Sequence, residues 1–98
     1  MIVVAKIKVQ TGKEGVAEKA FRKHVEFVSR EEPGTLLYIL HRSRRDPSTF
    51  LFYEKYVDPS AFDRHGKSSA MQELFSALSP ILDGPPAIEL YDEITGKR

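Results

Sequence analysis

Apolar positions along the chain switch between two periods, and the switches mark the elements. Ile2 to Val9 is rich in β-branched residues, with Lys6 and Lys8 on one side of a two-residue alternation, and it ends at Thr11-Gly12. This pattern predicts a first strand. From Lys13 to Glu32, Val16, Ala17, Ala20, Phe21, His24, Phe27 and Val28 recur at three- and four-residue steps, with charged residues between them. That is one face of an amphipathic helix, stopped by Pro33-Gly34. Thr35–Arg42 and Thr49–Val57 read as strands joined by a turn at Asp46-Pro47, together a hairpin. Asp58 is placed to N-cap a short helix with Pro59 in its first turn. This helix runs to His65 and bends at Gly66. A second helical stretch from Ser68 presents Met71, Leu74, Phe75 and Leu78, with Pro80 near its end. After the loop Asp83-Gly84-Pro85-Pro86, Ala87–Ile94 reads as a last strand.

The order is β-α-β-β-α-β in a single domain spanning residues 1–98. It predicts an α+β fold of the ferredoxin-like type, an antiparallel sheet with helices on one face. Helices on one face should leave the other polar. The hairpin departs from that rule. One parity holds Leu36, Tyr38, Leu40, Phe50, Phe52, Glu54 and Tyr56, and the other holds Leu37, Ile39, Leu51 and Tyr53. Strands apolar on both sides are covered on both sides. The helices serve one face, so a second copy of the chain is expected on the other, giving a homodimer of barrel type.

Charge and composition remove several classes of function. The formal net charge is +1, from 15 basic and 14 acidic residues, and the basic residues are scattered, which argues against nucleic acid as a partner. There is no cysteine, so thiolate chemistry, disulfides and Cys-ligated metal are excluded. No apolar run approaches the roughly 18 residues of a membrane span. No signal-peptide core opens the chain, and the cytoplasm is the expected location. The three histidines have no metal-ligand spacing, and no phosphate loop or dinucleotide fingerprint is present, so no cofactor is expected.

The remaining chemistry centres on two residues. Glu54 is a carboxylate in the middle of an apolar strand, where it must find a partner or take up a proton. It can orient a base, bind a substrate hydroxyl, or serve structurally through Tyr38, Arg64, His65 or a helix-start amide. His65 ends the short helix, and an imidazole there can act as a general base or cap the helix carbonyls. His24, on the apolar side of the first helix, reads as a core-edge residue. Tyr38, Phe52, Tyr56, Phe62, Met71 and Phe75 are predicted to face the gap between sheet and helices. They either form plain core or line a slot for a flat aromatic ligand.

Taken together, Pro33-Gly34-Thr35-Leu36-Leu37-Tyr38, Asp46-Pro47-Ser48-Thr49-Phe50, Tyr53-Glu54-Lys55-Tyr56 and Ala61-Phe62-Asp63-Arg64-His65 resemble the antibiotic-biosynthesis monooxygenase family over nearly the whole chain. The resemblance implies a dimeric α+β barrel with a pocket between each sheet and its helices. It also implies, for some members, oxidation of a quinol or polycyclic phenol by O2 without metal or flavin. His65 would then be the base, Glu54 its orienter, and Tyr38 and Tyr56 would hold substrate oxygens. Two positions depart from the family pattern. Tyr56 stands where Trp is frequent, and Ala70 stands where a second His would fall. The haem-degrading branch is excluded by the absence of Trp, of an Asn in the first strand, and of a His near Phe75. A non-oxidative isomerase and a binder of small aromatic molecules remain alternatives on the same fold.

Overall fold

A computed structural model describes residues 1–98. The elements are β1 (Ile2–Lys8), α1 (Glu14–Glu31), β2 (Thr35–Arg42), β3 (Thr49–Tyr56), α2 (Pro59–Gly66), α3 (Ser69–Leu78), a 3-10 turn (Ser79–Ile81) and β4 (Ala87–Tyr91). The strands form one antiparallel sheet in the order β2-β3-β1-β4. The expected ferredoxin-like α+β architecture is present, with its second helical segment split in two.

The split has a local cause. Asp58 N-caps α2 by accepting from the Ala61 amide at 2.8 Å. Ser68 starts a second cap, its hydroxyl accepting from the Met71 amide at 3.1 Å and donating to the His65 carbonyl at 2.9 Å. Each cap satisfies amides that a helix start leaves free, so two short helices replace one. The Ser68 hydroxyl also ties the start of α3 to the end of α2, where His65 lies.

The structure departs from the sequence pattern at the ends of β1 and β4 and at one side chain of β2. β1 ends at Lys8, and Val9 forms only an isolated bridge to Leu82. β4 stops at Tyr91 instead of Ile94, because Tyr91 already pairs with Ile2, at the start of β1, and β1 has little chain left to pair with. Leu36, expected on the helix-facing side, sits at a register shift between Thr35 and Leu37 and is exposed. A bulge of this kind turns one side chain out of the alternation.

The main core lies between α1, α3 and the inner sheet face. Phe21 of α1 packs against Phe50 and Phe52 of β3 with ring centroids 5.1 Å and 5.3 Å apart. Val9, Ala17, Leu74 and Leu78 close around them. A smaller cluster of Val3, Tyr56 and Ala61, with Phe62 against it, holds α2 to the sheet. Gly34 allows that approach, since a Cβ there would stand 2.8 Å from the Ala61 Cβ. Gly34→Ala should therefore push α2 away from the turn after α1. We expect it to lower stability in urea by about 1–3 kcal/mol, the usual range for overpacking.

The outer sheet face keeps its apolar side chains in the open. Ile39 and Leu37 are exposed on β2, beside half-buried Leu51 and Tyr53 of β3. On β4, Ile88 and Leu90 pair with Ala5 and Val3 of the inner face, yet both are more than half exposed, because the helical layer does not reach this edge.

Candidate functional site

The site grows from three elements that converge beyond the end of the main core. α1 supplies His24 on its apolar stripe, and Glu32 follows as its C-terminal cap residue. β2 and β3 supply Tyr38, Phe52, Glu54 and Tyr56 from the inner sheet face. α2 supplies His65 in its last turn.

His65 is buried, and its Nδ1 lies 2.8 Å from Glu32 Oε1. An ionised carboxylate only accepts, so Nδ1 is the donor in this pair. Nε2 has no hydrogen-bond partner within the chain. The same Glu32 oxygen accepts from the Thr35 hydroxyl at 2.8 Å, which fixes the carboxylate at the entry to β2. A buried His–carboxylate pair of this form holds the ring in one tautomer and stabilises the imidazolium once Nε2 takes a proton.

The carboxylate bonded to His65 is Glu32 and not Glu54, which was expected beside it. Glu54 is buried but accepts a 2.5 Å hydrogen bond from the Tyr56 hydroxyl, a partner not among those expected for it. Residues two apart on a strand share a face, so this pairing is the local one. Burial pushes the Glu54 carboxyl up to about 7, against the opposing pull of the Tyr56 hydrogen bond and with some help from Glu32.

The aromatic residues are close-packed around this pair. Tyr38 stacks on Phe52 with centroids 4.6 Å apart and meets the His65 ring at 5.0 Å. Tyr56 lies 5.5 Å from His65 and 5.2 Å from Phe62. Burial raises both phenols well above the usual tyrosine range, with the Glu54 charge adding to it. Neither phenol therefore serves as a base; the Tyr38 O–H has no partner within the chain and is available to donate, whereas the Tyr56 O–H is committed to Glu54. Met71 packs half-buried at the edge of the main core. Phe75 is exposed and stands away from the gap in which it was expected, because α3 turns Leu74 and Leu78 inward instead.

Two members of the cluster escaped sequence reasoning: Glu32 as partner of His65, and His24 as part of the site. His24 is 4% exposed, and its ring lies 5.6 Å from Tyr38 and 5.7 Å from His65. Burial lowers its pKa to about 4, and the neighbouring His65 adds to the shift. His24 Nε2 and Glu32 Oε2 are both buried without a hydrogen-bond partner. Each such atom costs about 1–3 kcal/mol, so the pair marks a place where polar groups are held ready instead of satisfied. The signal in the sequence was the spacing His24, Val28, Glu32, a single i, i+4, i+8 row on the stripe of α1.

The rings are nearly closed to solvent, with Phe52, Tyr56 and His65 each at most 3% exposed. Two surface grooves flank them. One of about 390 Å³ runs between α1 and α3 and includes His24 in its lining. The other, about 240 Å³, lies between the end of α1 and α2 and includes Glu32 and Arg64. No group of three or more His, Asp and Glu side chains is arranged to hold a metal ion. No helix is long and apolar enough to cross a membrane.

Comparison with known proteins places this geometry in context. A protein from Caulobacter crescentus, assigned to the antibiotic biosynthesis monooxygenases, is 33% identical, with 96% of this chain and 89% of that one covered and a TM-score of 0.91. A protein from Shewanella oneidensis is 30% identical over 92% of this chain and 86% of its own, with a TM-score of 0.84. A further solved antibiotic biosynthesis monooxygenase is 25% identical over 97% of this chain and 100% of its own, with a TM-score of 0.88. No curated protein matches significantly. The family model for antibiotic biosynthesis monooxygenases matches residues 1–77, which carry β1 to α2, all of α3 but its last residue, and every residue of the site, and the chain belongs to that family.

Proposed function

We propose that this protein is a cofactor-independent monooxygenase that oxidises a quinol or polycyclic phenol with O2, and that it works as a homodimer. The observation that carries the catalytic reading is the buried His65–Glu32 pair, with Nε2 unpartnered beside the rings of Tyr38 and Tyr56. A general base is needed because a phenolate gives up an electron far more readily than a phenol.

The sequence of events follows from that need. His65 Nε2 takes the proton of a substrate hydroxyl, and Glu32 stabilises the imidazolium. The electron-rich anion passes one electron to O2, and the substrate radical and superoxide combine to form a C–O bond. The resulting peroxide anion takes the proton back from His65. Loss of water from the hydroperoxide leaves a new carbonyl on the ring. One oxygen atom ends in product and the other in water, and the substrate supplies all the electrons. The close-packed aromatic walls keep water from the anion and hold a flat ring in place. Tyr38 acts as a donor to a substrate oxygen, while Tyr56, whose one O–H goes to Glu54, can only accept from a substrate hydroxyl.

The direct test is oxygen uptake by the purified protein with 1,4-dihydroxynaphthalene, one O2 consumed per 2-hydroxy-1,4-naphthoquinone formed, above the autoxidation rate. Uptake equal to the protein-free control would overturn the oxygenase reading. Turnover of a quinol without uptake would favour proton-transfer chemistry on the same base.

The homodimer reading rests on the outer sheet face, where Leu37, Ile39, Leu51 and Tyr53 form an apolar surface in the middle of the sheet. A second identical sheet would cover it. Light scattering at micromolar concentration should give twice the chain mass. Ile39→Asp should yield monomer or unfolded chain, since the pairing would bury an unpaired charge. A wild-type protein that scatters as a monomer would sink the dimer.

A further inference from the structure

Two buried polar atoms lack a partner within the chain, and both border the His65 centre and a groove: Glu32 Oε2, whose carboxylate already serves His65, and His24 Nε2, whose ring has no such task. Its ring is one corner of a triangle of rings, 5.6 Å from Tyr38 and 5.7 Å from His65, while Tyr38 and His65 are 5.0 Å apart. Its Nε2 is buried and makes no hydrogen bond within the chain, and the Ala70 backbone near the ring only partly offsets the effect of burial. A ligand oxygen that enters among these rings would lie within reach of the His24 imidazole as well as of His65. The outer side of the same imidazole lines the groove of about 390 Å³ between α1 and α3, beside Phe27, Ala70 and Leu74. That volume lies in the range of roughly 300–1,000 Å³ typical of small-molecule sites, and its walls mix these apolar side chains with the charged Lys23, Glu26, Arg30 and Glu73.

We propose that His24 is a second functional histidine of this site, whose Nε2–H donates a hydrogen bond to a hydroxyl or oxyanion oxygen of a phenolic or quinonoid ligand held at His65. The proposal rests on the reading of His65 as the base and adds the group that stabilises the charge which the base creates. The division of labour follows from the surroundings. His65 has a carboxylate behind it and can hold a proton as imidazolium. His24 has no carboxylate hydrogen-bonded to it, and burial keeps it neutral at physiological pH. A neutral imidazole placed against a developing oxyanion acts as a fixed donor. The charged groups around it are Glu32 at the end of α1, His65 on α2 and Glu73 on α3, with Glu73 itself engaged by Lys23 at 2.9 Å. His24 Nε2 has no partner within the chain, and a ligand oxygen would give it one.

The probe is 2-hydroxy-1,4-naphthoquinone, the product of the proposed reaction. Its titration into uniformly 15N-labelled protein should shift the His24 Nε2 resonance. His24→Phe, which keeps a ring but removes the donor, should weaken its binding about 10-fold or more and lower kcat for dihydroxynaphthalene oxidation by about 10–10²-fold. His24→Gln should restore part of both. The melting temperature of His24→Phe should equal or exceed that of the wild type, since an apolar ring replaces an unsatisfied buried group. A purely structural histidine predicts the reverse, a lower melting temperature with binding and turnover intact, and that result overturns the proposal. Millimolar naphthoquinone that leaves the His24 resonance unmoved also overturns it. Absence of oxygen uptake by the wild-type protein would remove the oxygenase reading alone, because the titration and the binding constant of His24→Phe still decide whether the donor exists.

Discussion

His65→Ala should lower quinol-dependent oxygen uptake by about 10²-fold or more, the usual share of a general base, while the protein stays folded. The expectation rests on the one buried imidazole that combines a carboxylate on Nδ1 with an unpartnered Nε2. Glu32→Gln should cost less. An amide can still accept from Nδ1 at the same place, but it no longer carries the charge that stabilises the imidazolium. The Glu54 carboxyl titrates at about 7, so any inflection it puts into the pH–rate profile should survive in His65→Ala. Wild-type uptake by well-folded His65→Ala would remove this residue from catalysis. The buried tyrosines could not replace it, since both phenols are held in their protonated form. Ionisation would then fall to the substrate's own acidity.

Two opposing pH dependences of stability are expected to lie hidden in the wild-type protein. Glu54 has a folded pKa of about 7 against an ordinary value of 4.5. Between those values the folded state binds more protons than the unfolded one, so this contribution is full below pH 4.5 and is lost as pH rises through 7. His24 has a folded pKa of about 4 against 6.5. Here the unfolded state binds more protons, so the contribution is full above pH 6.5 and is lost as pH falls through 4. Each shift corresponds to about 3 kcal/mol at 1.36 kcal/mol per unit. Their slopes cancel between pH 4.5 and 6.5. Urea unfolding across that range should therefore show a nearly flat share from this pair, and single variants should expose each slope. Glu54→Gln, which keeps an acceptor for Tyr56, should gain stability relative to wild type as pH rises toward 8. His24→Phe should gain relative to wild type as pH falls toward 4. Parallel profiles for wild type and both variants would show that neither group titrates as its burial demands.

The periodicity of the chain contained the element order and the antiparallel sheet, because burial of one face of each helix and strand is a local repeat. It also contained the helix cap at Asp58, because capping acts over three residues. The outlying position of Phe75 was less legible, since Phe75 and Leu74 are both large and apolar, and only the roll of α3 against the sheet chooses between them.

By itself, then, the sequence determined the ferredoxin-like α+β fold, the doubly apolar hairpin and the placement of a histidine at the end of a short helix over the inner sheet face. These are consequences of spacing, and spacing is written along the chain. Tertiary structure alone decided which carboxylate serves His65. Glu54 was the visible candidate because it interrupts an apolar strand, yet its neighbour Tyr56 takes it at 2.5 Å on the same strand face. Glu32 was hidden in a polar run before Pro33-Gly34. It reaches His65 across 33 residues of chain because Gly34 lets α2 pack close to the turn. The same packing turned His24 from a residue on a helical stripe into an unsatisfied donor among three rings. Contacts between distant segments depend on how elements lie against one another, and no local period encodes that.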